Sequence, residues 1–301
     1  MFRYSPTIPR ELKPVSLERA AYLEQVTERL AADLGDSSYM LAGALGIGYL
    51  LKVYEKELPR ILVDKREELR TMGITNWESF LKEIIPPRIT QINNCFYRDI
   101  RSVRLLCLED ALEGIVRNGE QNGLKLCHRK RMVGGIEQYG EPITSKEAVS
   151  LTTEFLTSDH LRLIRLENGA VPNHLKTEIG RYYDIFLHHY QDASGSRVKM
   201  AGAGFIDEKR GTKVEPDEVF VVSNKHRFSV PLKYFYNLSY TLANGRSMPI
   251  ANPVYIYVST KKHFEKTKGR DEVDEVDLEV LNNLLKFATE RSGEDLLCFR
   301  Q

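Results

Sequence analysis

Apolar residues recur every third or fourth position through the first 120 residues, whereas alternation and β-branched runs dominate from about Arg197 onward. The first spacing is one face of a helix and the second is one face of a strand. Leu17, Ala20, Leu23, Val26 and Leu30 predict a helix capped by Ser16 and stopped by Gly35. A second helix is expected over Ser37 to Leu58, with Pro59 in the first turn of a third that ends near Gly73. Thr75 and Glu78 have capping-box spacing for a fourth, closing before Pro86 and Pro87. The longest periodic stripe, Ile89, Ile92, Phe96, Ile100, Val103, Cys107 and Ala111, predicts one long helix from Arg88 to Arg117.

Beyond the turn signals Asn118-Gly119 and Asn122-Gly123 the pattern changes. Leu124 to Val133 and Leu161 to Leu166 read as strands, and Ser145 to Leu156 and Asn173 to Tyr190 as helices. Glu218 to Ser223, Arg227 to Pro231, Tyr234 to Ala243 and Val254 to Ser259 are rich in Val, Phe and Tyr and read as strands. Asn244-Gly245 predicts a hairpin between the last two. A final helix is expected over Asp274 to Arg291, its acidic start matching the helix dipole.

The expected class is α+β, a helical N-terminal region followed by an antiparallel or mixed sheet packed with helices. The expected organisation is an extended arm over 1–15, stiffened by Pro6, Pro9 and Pro14, a helical domain over 16–120 and an α+β domain over 121–301.

Composition narrows the function classes without choosing one. Hydrophobic residues are 42% and charged residues 28%, which is ordinary for a folding chain and unlike disorder. A net charge of +1 supplies no global field toward nucleic acid or membrane. The four cysteines are scattered and form no CxxC pair, so reduced thiols in a cytoplasmic setting are expected. Tyr39 to Leu51, the longest apolar run, is shorter than the roughly 20 residues a membrane span needs.

Local chemistry offers three candidates. Arg98, Arg101 and Arg104, with Lys125, Arg129, Lys130 and Arg131, form two basic clusters able to neutralise phosphates, or else solvated faces balanced by Glu109, Asp110 and Glu113. Asp207, Glu208, Lys209 and Asp217 are the residue types of a metal-dependent nuclease, although the turns around them also suit a charged loop. Asp184 and His188, four apart on the expected helix, could be two arms of a metal site, with His189 or His174 nearby. Gly43, Gly46 and Gly48 reverse the spacing of a dinucleotide fingerprint and follow no expected strand, so no cofactor is implied. The leading expectation is a structural or assembly protein forming a homo-oligomer or part of a virion-like particle, with Phe2, Tyr4, Ile8 and Leu12 as anchors of a docking arm. Nucleic-acid binding and nuclease activity are the alternatives.

Overall fold

A computed structural model describes residues 15–35, 38–87, 89, 95–133, 136–139, 141–155, 161–172, 179–223, 228–235, 237–267 and 272–292. In chain order its elements are α1 (Leu17–Leu34), β1 (Tyr39–Ala42), α2 (Gly43–Asp64), α3 (Arg66–Thr71), α4 (Trp77–Ile84), β2 (Val103–Leu108) and α5 (Leu112–Gln121). Then come β3 (Leu124–Val133), β4 (Ile136–Tyr139), α6 (Ser145–Phe155), β5 (Leu161–Arg165), β6 (Tyr182–Asp192), β7 (Arg197–Ala201), β8 (Gly204–Asp207) and β9 (Lys213–Val214). The last described elements are β10 (Val219–Ser223), β11 (Phe228–Pro231), β12 (Asn237–Thr241), β13 (Ser247–Ala251), α7 (Pro253–Lys266) and α8 (Glu272–Ser292).

The class is α+β, built on one mixed sheet. Its main path runs β12-β13-β1-β2-β6-β5-β3-β4, with β7 to β11 branching from β6. Pairing is parallel between β1 and β13 and between β2 and β6, and antiparallel elsewhere. Strands from either side of residue 120 are therefore neighbours in the same sheet.

Alternation sorts the central strands into two faces. Tyr183 and Arg165 point toward α1, where both bind the buried carboxylate of Asp33, Tyr183 Oη at 2.8 Å. Asn118 and Asn122 of the α5 region donate to the carbonyls of Leu34 and Asp33, which closes that layer. On the opposite face Arg104, Leu106, Phe186 and His188 meet α7. Behind them α2, α4 and α8 share an aromatic cluster in which Phe80 stacks on Tyr54 and lies edge-on to Phe287.

Several sequence expectations need correction. Among the described residues the long helix over Arg88 to Arg117 does not form: Val103 to Leu108 alternates between the two faces of the sheet as β2, Glu109 to Ala111 is a 3-10 turn, and the α-helix starts at Leu112. The helix expected up to Tyr190 is the strand β6, held on both sides by β2 and β5. Val254 to Ser259 is helical, since Asn252 caps Val254 N and Pro253 occupies the first turn of α7. The Asn244-Gly245 hairpin is present, but its return strand is β13, which ends before Pro253. Tyr39 to Ala42 is a strand, Pro59 lies inside α2, and the fourth helix is capped by Asn76 and Ser79 in place of Thr75 and Glu78. Among the described residues no helix is long and apolar enough to cross a membrane.

Candidate functional site

The turn from β1 into α2 is unusually tight. Ala42, the N-cap, is extended and provides no side-chain cap, and Gly43 sits at φ 64°. An L side chain is strained there, so glycine is required to start the helix directly off the strand. Gly46 serves the same junction, because a Cβ there would lie 2.9 Å from the carbonyl oxygen of Leu41. The three glycines thus do follow a strand, contrary to the sequence expectation, and the N-cap residue Ala42 gives the start of α2 no side-chain cap.

Arg104 is brought to this turn by the sheet, being opposite Ala42 in the β1–β2 ladder. Its side chain lies on Gly43, where an added Cβ would sit 2.9 Å from Arg104 Cδ. Leu106 and Phe186, opposite one another on β2 and β6, continue the wall, and Ser223, Tyr255, Ser259, Thr260, His263 and Asp274 complete a cleft of about 450 Å³, a figure that includes space open to solvent. Tyr255, Ser259 and His263 are spaced by four on α7 and so share one helical face.

Two hydrogen-bonded groups organise the cleft. His188 Nδ1 lies 3.0 Å from the carbonyl oxygen of Phe186, so that nitrogen carries the proton and Nε2 accepts from the Tyr255 hydroxyl. Tyr255 in turn bonds Ser223, opposite His188 in the β6–β10 ladder. Burial pushes His188 down to about 4 and Tyr255 up, so both are neutral at physiological pH. At the mouth, His263 Nδ1 binds the carboxylate of Asp274, which fixes the imidazole against the first turn of α8.

The sequence-derived candidates are placed differently. Of the basic candidates whose side chains are described, Arg104 alone lines the cleft. Arg98 is turned inward onto Asp277, Nε to Oδ1 at 2.7 Å, with its side chain only 14% exposed, so it leaves the expected basic surface. Arg101 is exposed beside Asp99, and Lys125 pairs with Glu120 at 2.6 Å. Arg129, Lys130 and Arg131 lie on β3, where the register against β4 shifts between Arg129 and Arg131; their side chains lie outside the described ones. Phe2, Tyr4, Ile8, Leu12 and His174 lie outside the described residues.

The carboxylate candidates do not assemble. Asp207 is buried and its Oδ1 accepts from the backbone N–H groups of Lys209 and Arg210, at 2.8 and 2.7 Å, which makes it a turn-forming residue. Glu208, Lys209 and Asp217 are exposed, Asp217 in a short 3-10 turn after β9. Asp184 and His188 lie on a strand, roughly 13 Å apart along it at the usual rise. Asp184 accepts from Arg162 Nε at 2.6 Å, and both ring nitrogens of His188 are engaged, so neither is available to a metal. Among the described residues no group of three His, Cys, Asp or Glu has metal-holding geometry.

Sequence reasoning missed Gly43, Ser223, Tyr255, His263 and Asp274. The signal was present in Asn252-Pro253, a cap followed by a first-turn proline, which makes the following residues helical and aligns Tyr255, Ser259 and His263. Compared with protein-family models, with curated proteins and with solved structures, the chain has no significant match.

Proposed function

We propose that this chain binds a small phosphorylated ligand, a phosphate monoester with an apolar body, in the cleft between the β1–α2 turn and α7. The observation that carries this reading is Arg104 lying across Gly43 at the uncapped start of α2. A guanidinium and a set of helix N-terminal N–H groups at one point favour an oxyanion, by geometry and by the helix dipole. Leu106, Phe186 and Tyr255 supply an apolar wall for the rest of the ligand, and the hydroxyls of Ser223, Ser259 and Thr260 supply orientation. His263, oriented by Asp274, adds a positioned imidazole to the lining.

Calorimetric titration of the full chain with inorganic phosphate, phenyl phosphate and AMP tests the reading. Saturable binding is expected, tighter for the two esters than for phosphate, and weakened at least about tenfold by Arg104→Gln, the usual worth of a charge-assisted hydrogen bond. Absence of binding, or binding indifferent to Arg104→Gln, overturns it. Self-association through the N-terminal arm is a separate proposal; an unchanged native mass after deletion of residues 1–14 would count against it.

A further inference from the structure

We propose that a second pocket, beyond the end of β2, binds a small ligand bearing a primary ammonium group beside an oxygen acceptor. It is lined by Glu109 and Asp110, which follow β2, by His189 on β6, Arg197 on β7 and Glu208 after β8, and it encloses about 270 Å³ including space open to solvent.

Two buried polar atoms in its lining point to the ligand. The Glu109 side chain is only 9% exposed; its Oε2 accepts from Arg197 Nη1 at 2.8 Å, while its buried Oε1 has no hydrogen-bond partner among the described residues. His189 is 8% exposed, and its Nε2 accepts from the Gln191 side-chain amide nitrogen at 2.8 Å. Its proton is therefore on Nδ1, a buried donor that also has no partner among the described residues. A buried acceptor and a buried donor left unmet cost on the order of 1–3 kcal/mol each, and because both belong to residues lining one pocket, a ligand offering a donor and an acceptor there would relieve both.

Charge selects which ligand. Three carboxylates, Glu109, Asp110 and Glu208, face one guanidinium, Arg197, and His189 is neutral. Burial raises the Glu109 pKa, Arg197 opposes that rise, and Asp110 and Glu208 add to it, so an arriving cation relieves the site. A bare divalent ion does not fit, because among the described residues these groups do not converge with metal-holding geometry. An ammonium can meet Glu109 Oε1 through one N–H and the exposed carboxylates of Asp110 and Glu208 through others, with its neighbouring oxygen accepting from His189 Nδ1.

Ethanolamine is the probe, titrated into the isotopically labelled full chain while the His189 ring resonances are followed. Saturable shifts are expected, weakened about tenfold by Glu109→Gln. Glu208→Gln removes only a rim charge from an exposed position and is expected to weaken binding about twofold to fivefold, which keeps the test decisive if Glu109→Gln disturbs folding. Tetramethylammonium, a cation with no N–H, is expected to leave the His189 resonances unmoved. The proposal falls if ethanolamine gives no saturable shift, if tetramethylammonium binds equally well, or if Glu208→Gln changes nothing. Arg104→Gln, which belongs to the other cleft, is expected to leave ethanolamine binding intact, so failure of either site is read independently of the other.

Discussion

Asp277 of α8 reaches across to Arg98 and holds its guanidinium, Nε to Oδ1 at 2.7 Å, while the same oxygen accepts the hydroxyl of the neighbouring Tyr97 at 2.6 Å. The Asp277 side chain is 5% exposed, so this is a buried pair that anchors the segment before β2 to the last helix. Removing one buried partner strands the other charge, typically at a cost of about 3–5 kcal/mol. Asp277→Ala is expected to lose that much in urea unfolding. Arg98→Met with Asp277→Leu is expected to recover part of it, because apolar packing replaces the pair while the buried Tyr97 hydroxyl loses this acceptor.

That anchor also explains what the sequence could not reveal. Residues 95–102 carry Phe96 and Ile100 at helical spacing, yet they are pinned in irregular structure by contacts with α8, nearly 180 residues away, that no local pattern encodes. In Val103 to Leu108 the apolar residues are adjacent as well as alternate, because β2 is central and covered on both faces, so its pattern imitates a helix. Val254 to Ser259 fails in the opposite sense, with alternating Val, Ile and Tyr in a helix whose start is fixed by Asn252 and Pro253. Where local signals and packing agree, the reading holds: Ser16 and Gly35 bound α1, and Leu124 to Val133 is β3. The cleft was the least legible part, since Gly43, Arg104, Ser223 and His263 are assembled by strand pairing across the whole chain.

Phe96 and Gly48 form a coupled pair in the core. Phe96 is 2% exposed and lies edge-on to Tyr49, and a Cβ at position 48 would sit 2.4 Å from its ring. Phe96→Ala is expected to cost about 3–5 kcal/mol. Gly48→Ala alone is expected to cost about 1–3 kcal/mol through overpacking. In the Phe96→Ala background the same change should become neutral or stabilising, as the space is open and alanine favours the helix by up to about 1 kcal/mol. A double-mutant cycle by denaturant unfolding measures the coupling, and additive losses would show that the ring and the glycine do not meet.

His188 gives the fold an acid-sensitive contribution. Its pKa falls from 6.5 to about 4 on folding, so between those values the unfolded chain binds the proton that the folded chain refuses. The stability it confers is complete above pH 6.5, declines as pH falls toward 4, and has no further slope below that. The loss is about 3 kcal/mol over the window. His189 is lowered in the same direction and adds to the slope. Urea midpoints from pH 7 to pH 4 should show the decline, and His188→Gln should reduce its steepness.

Gly43 and Arg104 are expected to act as one unit in the cleft. Alanine at 43 must hold φ near 64° and would bring its Cβ within 2.9 Å of Arg104 Cδ. The backbone strain is on the order of 1–2 kcal/mol, and the clash is met most cheaply by swinging the flexible arginine away. Gly43→Ala should therefore reduce stability by about that amount and weaken phosphate-ester binding nearly as much as Arg104→Gln does. Once Arg104 is glutamine, the further change at 43 should cost stability and little additional affinity, because the guanidinium that the glycine admits is already gone. Independent, additive losses of affinity would place the phosphate somewhere other than the junction these two residues share.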